Sequence, residues 1–287
     1  MKPEDSPYEF DNEIRPHAPE LYEFSSIAAP LDGLDAVGET QIAQYREQGF
    51  LAIEGVFNAA EVDAARKGLL DLVAGKRPDF KIIQFVNEVR DVVETLSLEE
   101  KMKLIRKLGT FTEYEPRLKS MAEHPPLIAL LTRILGKTPE MFQSMALIKP
   151  PGGREKPWHQ DHAYFDFPLE TKIVGVWIAL EEANVENGCM RVMPGWHRRG
   201  PLTHFQLRDW QICDHEMSDL QPQRVAVPLK AGGCLLFDSF LPHGTPTNDT
   251  AQGREAVQFH YLPAGTQKCQ TEERLAVFGS EGKDVSC

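Results

Sequence analysis

The hydrophobic positions of this chain change their period once, near its middle, and that change divides it into a helical part and a β part. Ile42, Tyr45 and Phe50 recur at near-helical spacing, and Gly49 predicts where that helix stops. Phe50 to Val56 (FLAIEGV) is a short apolar run that reads as a strand. Asn58 stands where an N-cap is expected. Beyond it Val62, Ala65, Leu69 and Leu72 share one face of a helix running to about Ala74. Two further helices are predicted, near 97–108 and over 125–136, the second opened by Pro125-Pro126. After Met141 the pattern shortens to runs of Val, Ile and Phe. Turn signals at Pro150-Pro151-Gly152-Gly153, Asn187-Gly188, Pro194-Gly195 and Gly232-Gly233 separate these runs.

The expected fold class is mainly β with a helical N-terminal part (α+β). Helices lie mainly in 40–136, and a β-sandwich or jelly-roll core covers about 141–265. Residues 1–38, rich in Pro and acids, read as an extended N-terminal arm that lays Tyr8, Phe10, Tyr22 and Phe24 on the body. Residues 39–287 then form one domain, with no linker, repeat or low-complexity tract to divide them.

Composition narrows the function classes. At 41% hydrophobic over 287 residues the chain can bury a sizeable core. A net charge of -12 argues against nucleic acid as a partner, because phosphate binding needs clustered Lys and Arg. Arg198-Arg199 is a short basic spot that reads as a solvated loop, with an anionic substrate tail as the other use. The five cysteines, Cys189, Cys213, Cys234, Cys269 and Cys287, form no CxxC and read as free thiols of a reducing compartment. The N-terminus lacks the apolar region of a signal peptide, and the longest apolar runs, such as Ile173 to Leu180, are too short to span a bilayer. The expectation is a cytoplasmic protein with a small-molecule substrate and no membrane partner; oligomeric state is unassigned.

The candidate chemistry centres on Trp158-His159-Gln160-Asp161. In a strand, residues i and i+2 share a side, so His159 and Asp161 can present an imidazole and a carboxylate to one point. His243, in the run Leu241-Pro242-His243-Gly244-Thr245, lies far enough downstream for several intervening strands. Two His and one carboxylate on one face are the donor set of iron(II) oxygenases, which leaves three metal positions for a chelating 2-oxo acid and O₂. Arg254 follows shortly. If His243 ends one strand and Arg254 sits on the next antiparallel strand, both reach one cavity. The guanidinium fork then suits the distal carboxylate of the 2-oxo acid, with Thr245 adding a hydroxyl.

With these residues in this order, the chain resembles the phytanoyl-CoA dioxygenase family. The matching stretches are MALIKPPGG, WHQDHAYFDF, VGVWIALEEANVENGCMRVMPG, HGTPTN and GREAVQFHYLP, with YREQGFLAIEGVFNAAEVDAARKGL near the start. The resemblance covers about 40–262. It implies a double-stranded β-helix (jelly roll, cupin-like) and an enzyme using Fe(2+), 2-oxoglutarate and O2. It implies His159, Asp161 and His243 as metal ligands and Arg254 and Thr245 on the distal carboxylate. Met145 and Trp177 would line the co-substrate pocket, with Lys107 of RKLGTF beside it. The kept Asp161 favours hydroxylation over halogenation. One departure is Trp196 in PGWH, where the family more often has a small polar residue; this loop is expected at the substrate entrance. The alternatives are a cupin-like metal oxygenase without 2-oxoglutarate and a non-catalytic binding module. A zinc hydrolase fits less well, having no use for Arg254 and Thr245. Of the other histidines, His162 is expected on the opposite face, with contact to substrate as its other reading. His197, His204 and His215 are expected on loops or the surface, and His260 is expected to pack in the final strand.

Overall fold

Side-chain alternation in the second half of the chain builds two sheets that face each other. A computed structural model describes residues 8–218, 223–279 and 287; expectations for 1–7, 219–222 and 280–286 lie outside the described residues. The arm supplies three two-residue strands, β1 (Glu9–Phe10), β2 (Ser26–Ile27) and β3 (Leu31–Asp32). Helix α1 (Glu39–Gln48) ends at Gly49, whose φ of 85° is the left-handed conformation that glycine adopts without a Cβ clash. Next come β4 (Phe50–Glu54) and α2 (Ala59–Val73). The Asn58 side chain accepts from the N–H groups of Ala60 and Glu61, and the Glu61 carboxylate accepts the N–H of Asn58, a capping box.

The chain continues through β5 (Ile83–Phe85), α3 (Leu98–Leu104), β6 (Ile105–Gly109), α4 (Pro116–Ala122) and α5 (Pro125–Leu135). The helix expected over 97–108 is therefore only half a helix. Its second half pairs with β5 on one side and with the strand beginning at Pro139 on the other, and this pairing overrides the helix preference of its Lys and Leu residues.

The β part runs β7 (Pro139–Lys149), β8 (Lys156–His159), β9 (Val174–Ala179), β10 (Met190–Val192), β11 (His204–Gln206) and β12 (Trp210–Ile212). After helix α6 (Asp214–Ser218) come β13 (Val225–Val227), β14 (Cys234–Asp238), β15 (His243–Thr245), β16 (Arg254–Pro263) and α7 (Thr271–Phe278). The larger sheet has the order β1-β5-β6-β7-β16-β9-β14-β4-β3 and the smaller β2-β13-β10-β15-β8. This is a jelly roll with α2, α4 and α5 packed on the larger sheet.

Strand β16 shows how one strand serves both layers. Val257, Phe259 and Tyr261 join the core beneath the helices, with Leu69 of α2 and Leu131 of α5. Ala256 packs instead between the sheets with Trp177, Met190 and Val227. Arg254, Gln258 and His260 share the face of Ala256, so the polar residues of this strand point into the space between the sheets.

One expectation about the chain's ends holds and one about its cysteines needs correction. The arm packs on the body through Tyr8, Phe10, Tyr22 and Phe24, as its aromatic residues led one to expect, and Leu21 is buried beside Trp158, whose Nε1–H donates to the Leu21 carbonyl at 3.0 Å. And not all the cysteines are free. Cys213 and Cys287, with Cα atoms 5.7 Å apart, form a disulfide, while Cys189, Cys234 and Cys269 are free thiols. The scattered spacing concealed this pair because its members lie 74 residues apart and meet only through the fold. Among the described residues no helix is long and apolar enough to cross a membrane.

Candidate active site

His159 and His243 face each other across the β8–β15 pair, with ring centroids 4.2 Å apart. Each ring is oriented in the same way. Nδ1–H of His159 donates to the Pro157 carbonyl (2.7 Å) and Nδ1–H of His243 to the Leu241 carbonyl (2.9 Å). A carbonyl can only accept, so the proton sits on Nδ1 and the Nε2 lone pair is left for a metal. Burial, with His159 nearby, pulls the His243 pKa down to about 3, which keeps it in the ligating form.

Asp161 completes the set. Its Oδ1 lies 3.2 Å from His159 Nε2 and 3.5 Å from His243 Nε2. The donor atoms of the three residues lie within 4.8 Å of one another, and all three are buried. Asp161 is not on the strand as expected. β8 ends at His159, and Asp161 opens a 3-10 turn to Tyr164. Gln160 holds that turn: its amide donates to the carbonyls of Gly200 (2.9 Å) and Phe240 (2.7 Å) and accepts from Leu202 N–H (2.7 Å). Burial works against the Asp161 carboxylate, but the imidazoles of His243, His260 and His159 hold its pKa well below the usual range. The donor set suits a divalent iron: hard and intermediate donors on one side, with the other side open to the cavity.

The cavity in front of these donors has a volume of about 290 Å³ and is lined by His159, Asp161, His243, Thr245, Arg254, Trp177, Met145 and Lys107 among others. The strand expectation for Arg254 is corrected here. β15 and β16 are not neighbours in one sheet; they belong to the two facing sheets, and the cavity lies between them. Arg254 is buried, donates through Nη1 to the Gly188 carbonyl (2.8 Å), and keeps Nε–H without an acceptor. Burial without an anionic partner, and with Arg106 adding its charge, pulls its pKa down to about 9. The indole N–H of Trp177 is likewise buried and unpartnered, and the guanidinium lies over that ring. A carboxylate is the group this arrangement lacks, which is what a 2-oxo diacid would bring.

The remaining predicted positions divide. Thr245 Oγ1 accepts from the buried Lys149 ammonium at 2.8 Å, a partner not anticipated. Met145 and Trp177 both pair with Gln258 of β16 and form the cavity floor. Lys107 lines the cavity from β6, two strands from β16, and its side chain has no hydrogen-bond or salt-bridge partner among the described residues. Burial and the nearby Lys156 lower its pKa. His162 lies away from the cavity, stacked on Phe240. His204 is not on the surface: it is fully buried, and its Nε2 accepts the N–H of Gln160 at 3.1 Å. Trp196 is buried against Met193 and Leu21, donates to Gln223, and does not line the cavity. The arm contributes Asp11, which binds Arg154 (2.7 Å) and Arg106 (3.0 Å) at the cavity wall. His260, expected only to pack, reaches Asp161. The signal for it was its place on the inner face of β16, two residues from Gln258.

Residues 45–256 match the family model described as phytanoyl-CoA dioxygenase (PhyH). The chain belongs to this family. It is 24% identical to phytanoyl-CoA dioxygenase domain-containing protein 1 of Danio rerio, over 80% of this chain and 91% of that protein. It is 28% identical to the peroxisomal phytanoyl-CoA dioxygenase of Bos taurus, over 79% of this chain and 69% of that protein. Among solved structures, EvdO2 from Micromonospora carbonacea var. aurantiaca complexed with 2-oxoglutarate shares the fold with a TM-score of 0.63. That match has 23% identity and covers 84% of this chain and 97% of the other. Family membership and the intact His-Asp-His set make this PhyH chain a non-haem iron, 2-oxoglutarate-dependent dioxygenase.

Proposed function

We propose that this PhyH-family enzyme hydroxylates an aliphatic C–H bond of a small organic molecule, with succinate and CO₂ as co-products. The observation that carries the proposal is the buried, anion-free guanidinium of Arg254 in the same cavity as the three metal donors. In this reading His159 Nε2, Asp161 Oδ1 and His243 Nε2 hold iron(II). Arg254 and Thr245 take the distal carboxylate of 2-oxoglutarate, with Trp177 and Met145 as walls. When bound, the iron centre with its co-substrate and O₂ supplies the oxidising power.

The protein's own part is positioning. The Nδ1–H bonds of both histidines hold their rings, Gln160 holds the turn that carries Asp161, and the two sheets bury all three donor residues. The cavity is at the small end of ligand pockets, which run to about 1,000 Å³. It favours a small substrate, or one end of a larger one. Gln143 Oε1 lines the cavity, buried and without a donor, and Lys107 lines it without an anion.

The test is a screen of small organic molecules for stimulated succinate release from 2-oxoglutarate, followed by mass analysis of the products. A product that has gained one oxygen atom supports hydroxylation. Stimulated succinate release with a product that has lost hydrogen or changed configuration would replace hydroxylation by another oxidative outcome. Substrate oxidation that proceeds without 2-oxoglutarate would replace the co-substrate.

A further inference from the structure

We propose that His260 and Gln258 are positioning residues that confine Asp161 to a single metal-binding oxygen and so keep three metal positions open. The inference deepens the reading above and rests on it. The two oxygens of Asp161 have different surroundings. Oδ1 faces the two triad imidazoles, 3.2 Å from His159 Nε2 and 3.5 Å from His243 Nε2. Oδ2 is turned the other way, 2.7 Å from His260 Nε2 and 3.1 Å from Gln258 Nε2.

The tautomer of His260 follows from its contacts. A carboxylate oxygen only accepts, so the nitrogen that faces it at 2.7 Å carries the proton. Its other nitrogen, Nδ1, is buried without a partner. Gln258 Nε2, 3.1 Å from His260 Nε2, is then a second donor converging on the same oxygen, not a partner of the ring. The ring is fully buried and cannot turn easily. Phe165, Phe142 and Phe237 surround it, with centroids 4.8, 6.0 and 6.4 Å away. Strand β16 supplies both donors, because Gln258 and His260 are two residues apart on its inner face.

The consequence is one of counting. A six-coordinate metal held by one oxygen of Asp161 and one nitrogen of each histidine would keep three positions free, the number that a chelating 2-oxo acid and O₂ would need together. A carboxylate bound through both oxygens would leave two. With Oδ2 engaged by two N–H donors, that second mode costs two buried hydrogen bonds.

Cobalt(II) is the probe, since its visible bands report coordination without oxygen chemistry. His260→Phe keeps an aromatic ring and removes the donor; His260→Gln returns an N–H near the Nε2 position. His260→Phe should weaken Co(II) binding about 10- to 100-fold and change the visible bands. His260→Gln should restore most of both. Wild-type affinity and bands in His260→Phe would overturn the proposal, as would a His260→Gln protein, folded by near-UV circular dichroism, that recovers neither. If His260→Phe does not fold, Gln258→Leu removes the other donor from the same oxygen. A band change in that variant supports the proposal, and unchanged bands overturn it. Titrating 2-oxoglutarate into the Co(II)-loaded unmutated protein is a separate arm. Failure of 2-oxoglutarate to perturb the bands there would sink the co-substrate reading, while the Co(II) affinities would still decide the role of His260.

Discussion

The guanidinium carbon of Arg254 lies 5.2 Å from the ring centroid of Trp177, and each of the two side chains keeps one buried N–H without an acceptor. Two unsatisfied donors side by side in a cavity are costly unless a ligand completes them. Arg254→Ala should therefore raise the apparent KM for 2-oxoglutarate by roughly 30-fold or more, corresponding to about 2 kcal/mol or more for one partner of a buried ionic contact. Iron binding should be retained. Steady-state kinetics alongside an iron titration checks both parts, and an unchanged KM would remove the assignment of Arg254.

Trp177→Phe keeps the ring beneath the guanidinium and deletes the indole N–H. A smaller rise in the 2-oxoglutarate KM is expected, in the range of one hydrogen bond, about tenfold or less. A rise as large as that of Arg254→Ala would mean that the ring, and not the N–H, matters.

The pH dependence of stability should report His204. Burial, together with its non-titrating role as acceptor for Gln160 N–H, keeps it neutral in the folded chain, with a pKa of about 3. In the unfolded chain an imidazole titrates near 6.5. Between these values the unfolded state binds the extra proton, so stability falls as pH drops from about 6.5 toward 3, by up to about 1.4 kcal/mol per pH unit for this one group. Urea unfolding at several pH values should show His204→Gln with a shallower slope than the unmutated protein. Equal slopes would show that His204 is protonated when folded.

Gly175 predicts a structural route into the site. A Cβ there would come within 2.4 Å of Phe237, and the Phe237 ring packs 4.7 Å from that of His243. Gly175→Ala should lower stability by about 1–3 kcal/mol through overpacking and weaken metal binding by shifting His243. Thermal unfolding with and without iron measures both; a stable variant with normal iron affinity would show that Phe237 can move freely.

The elements that could be read from the chain are those with local causes. Gly49 ends α1, Asn58 caps α2, and Pro125 opens α5 because each acts through its own backbone neighbourhood. His159 and His243 could be read from the chain because strands β8 and β15 carry them, whereas Asp161 reaches the same point from a 3-10 turn that the strand period does not foresee. What was hidden depends on contacts far apart in sequence. β6 is a strand because β5 and β7 claim its backbone. Asp11 belongs to the cavity wall because Arg106 and Arg154 meet it there. His204 is buried because Gln160 needs an acceptor. The Cys213–Cys287 bond joins chain segments that no local pattern connects. His260 lay in between. The period of β16 placed it on the inner face, but only the fold shows that the face opposite is Asp161.

In the proposed site, His159, Asp161 and His243 hold iron(II) in front of a 2-oxoglutarate pocket that ends at Arg254. The most direct measurement is the visible spectrum of the oxygen-free protein on adding iron(II) and 2-oxoglutarate, with His243→Ala as control. A weak charge-transfer band that needs both additions and is absent in His243→Ala is the expected result. Bound iron in a folded protein with no band on adding 2-oxoglutarate would contradict it.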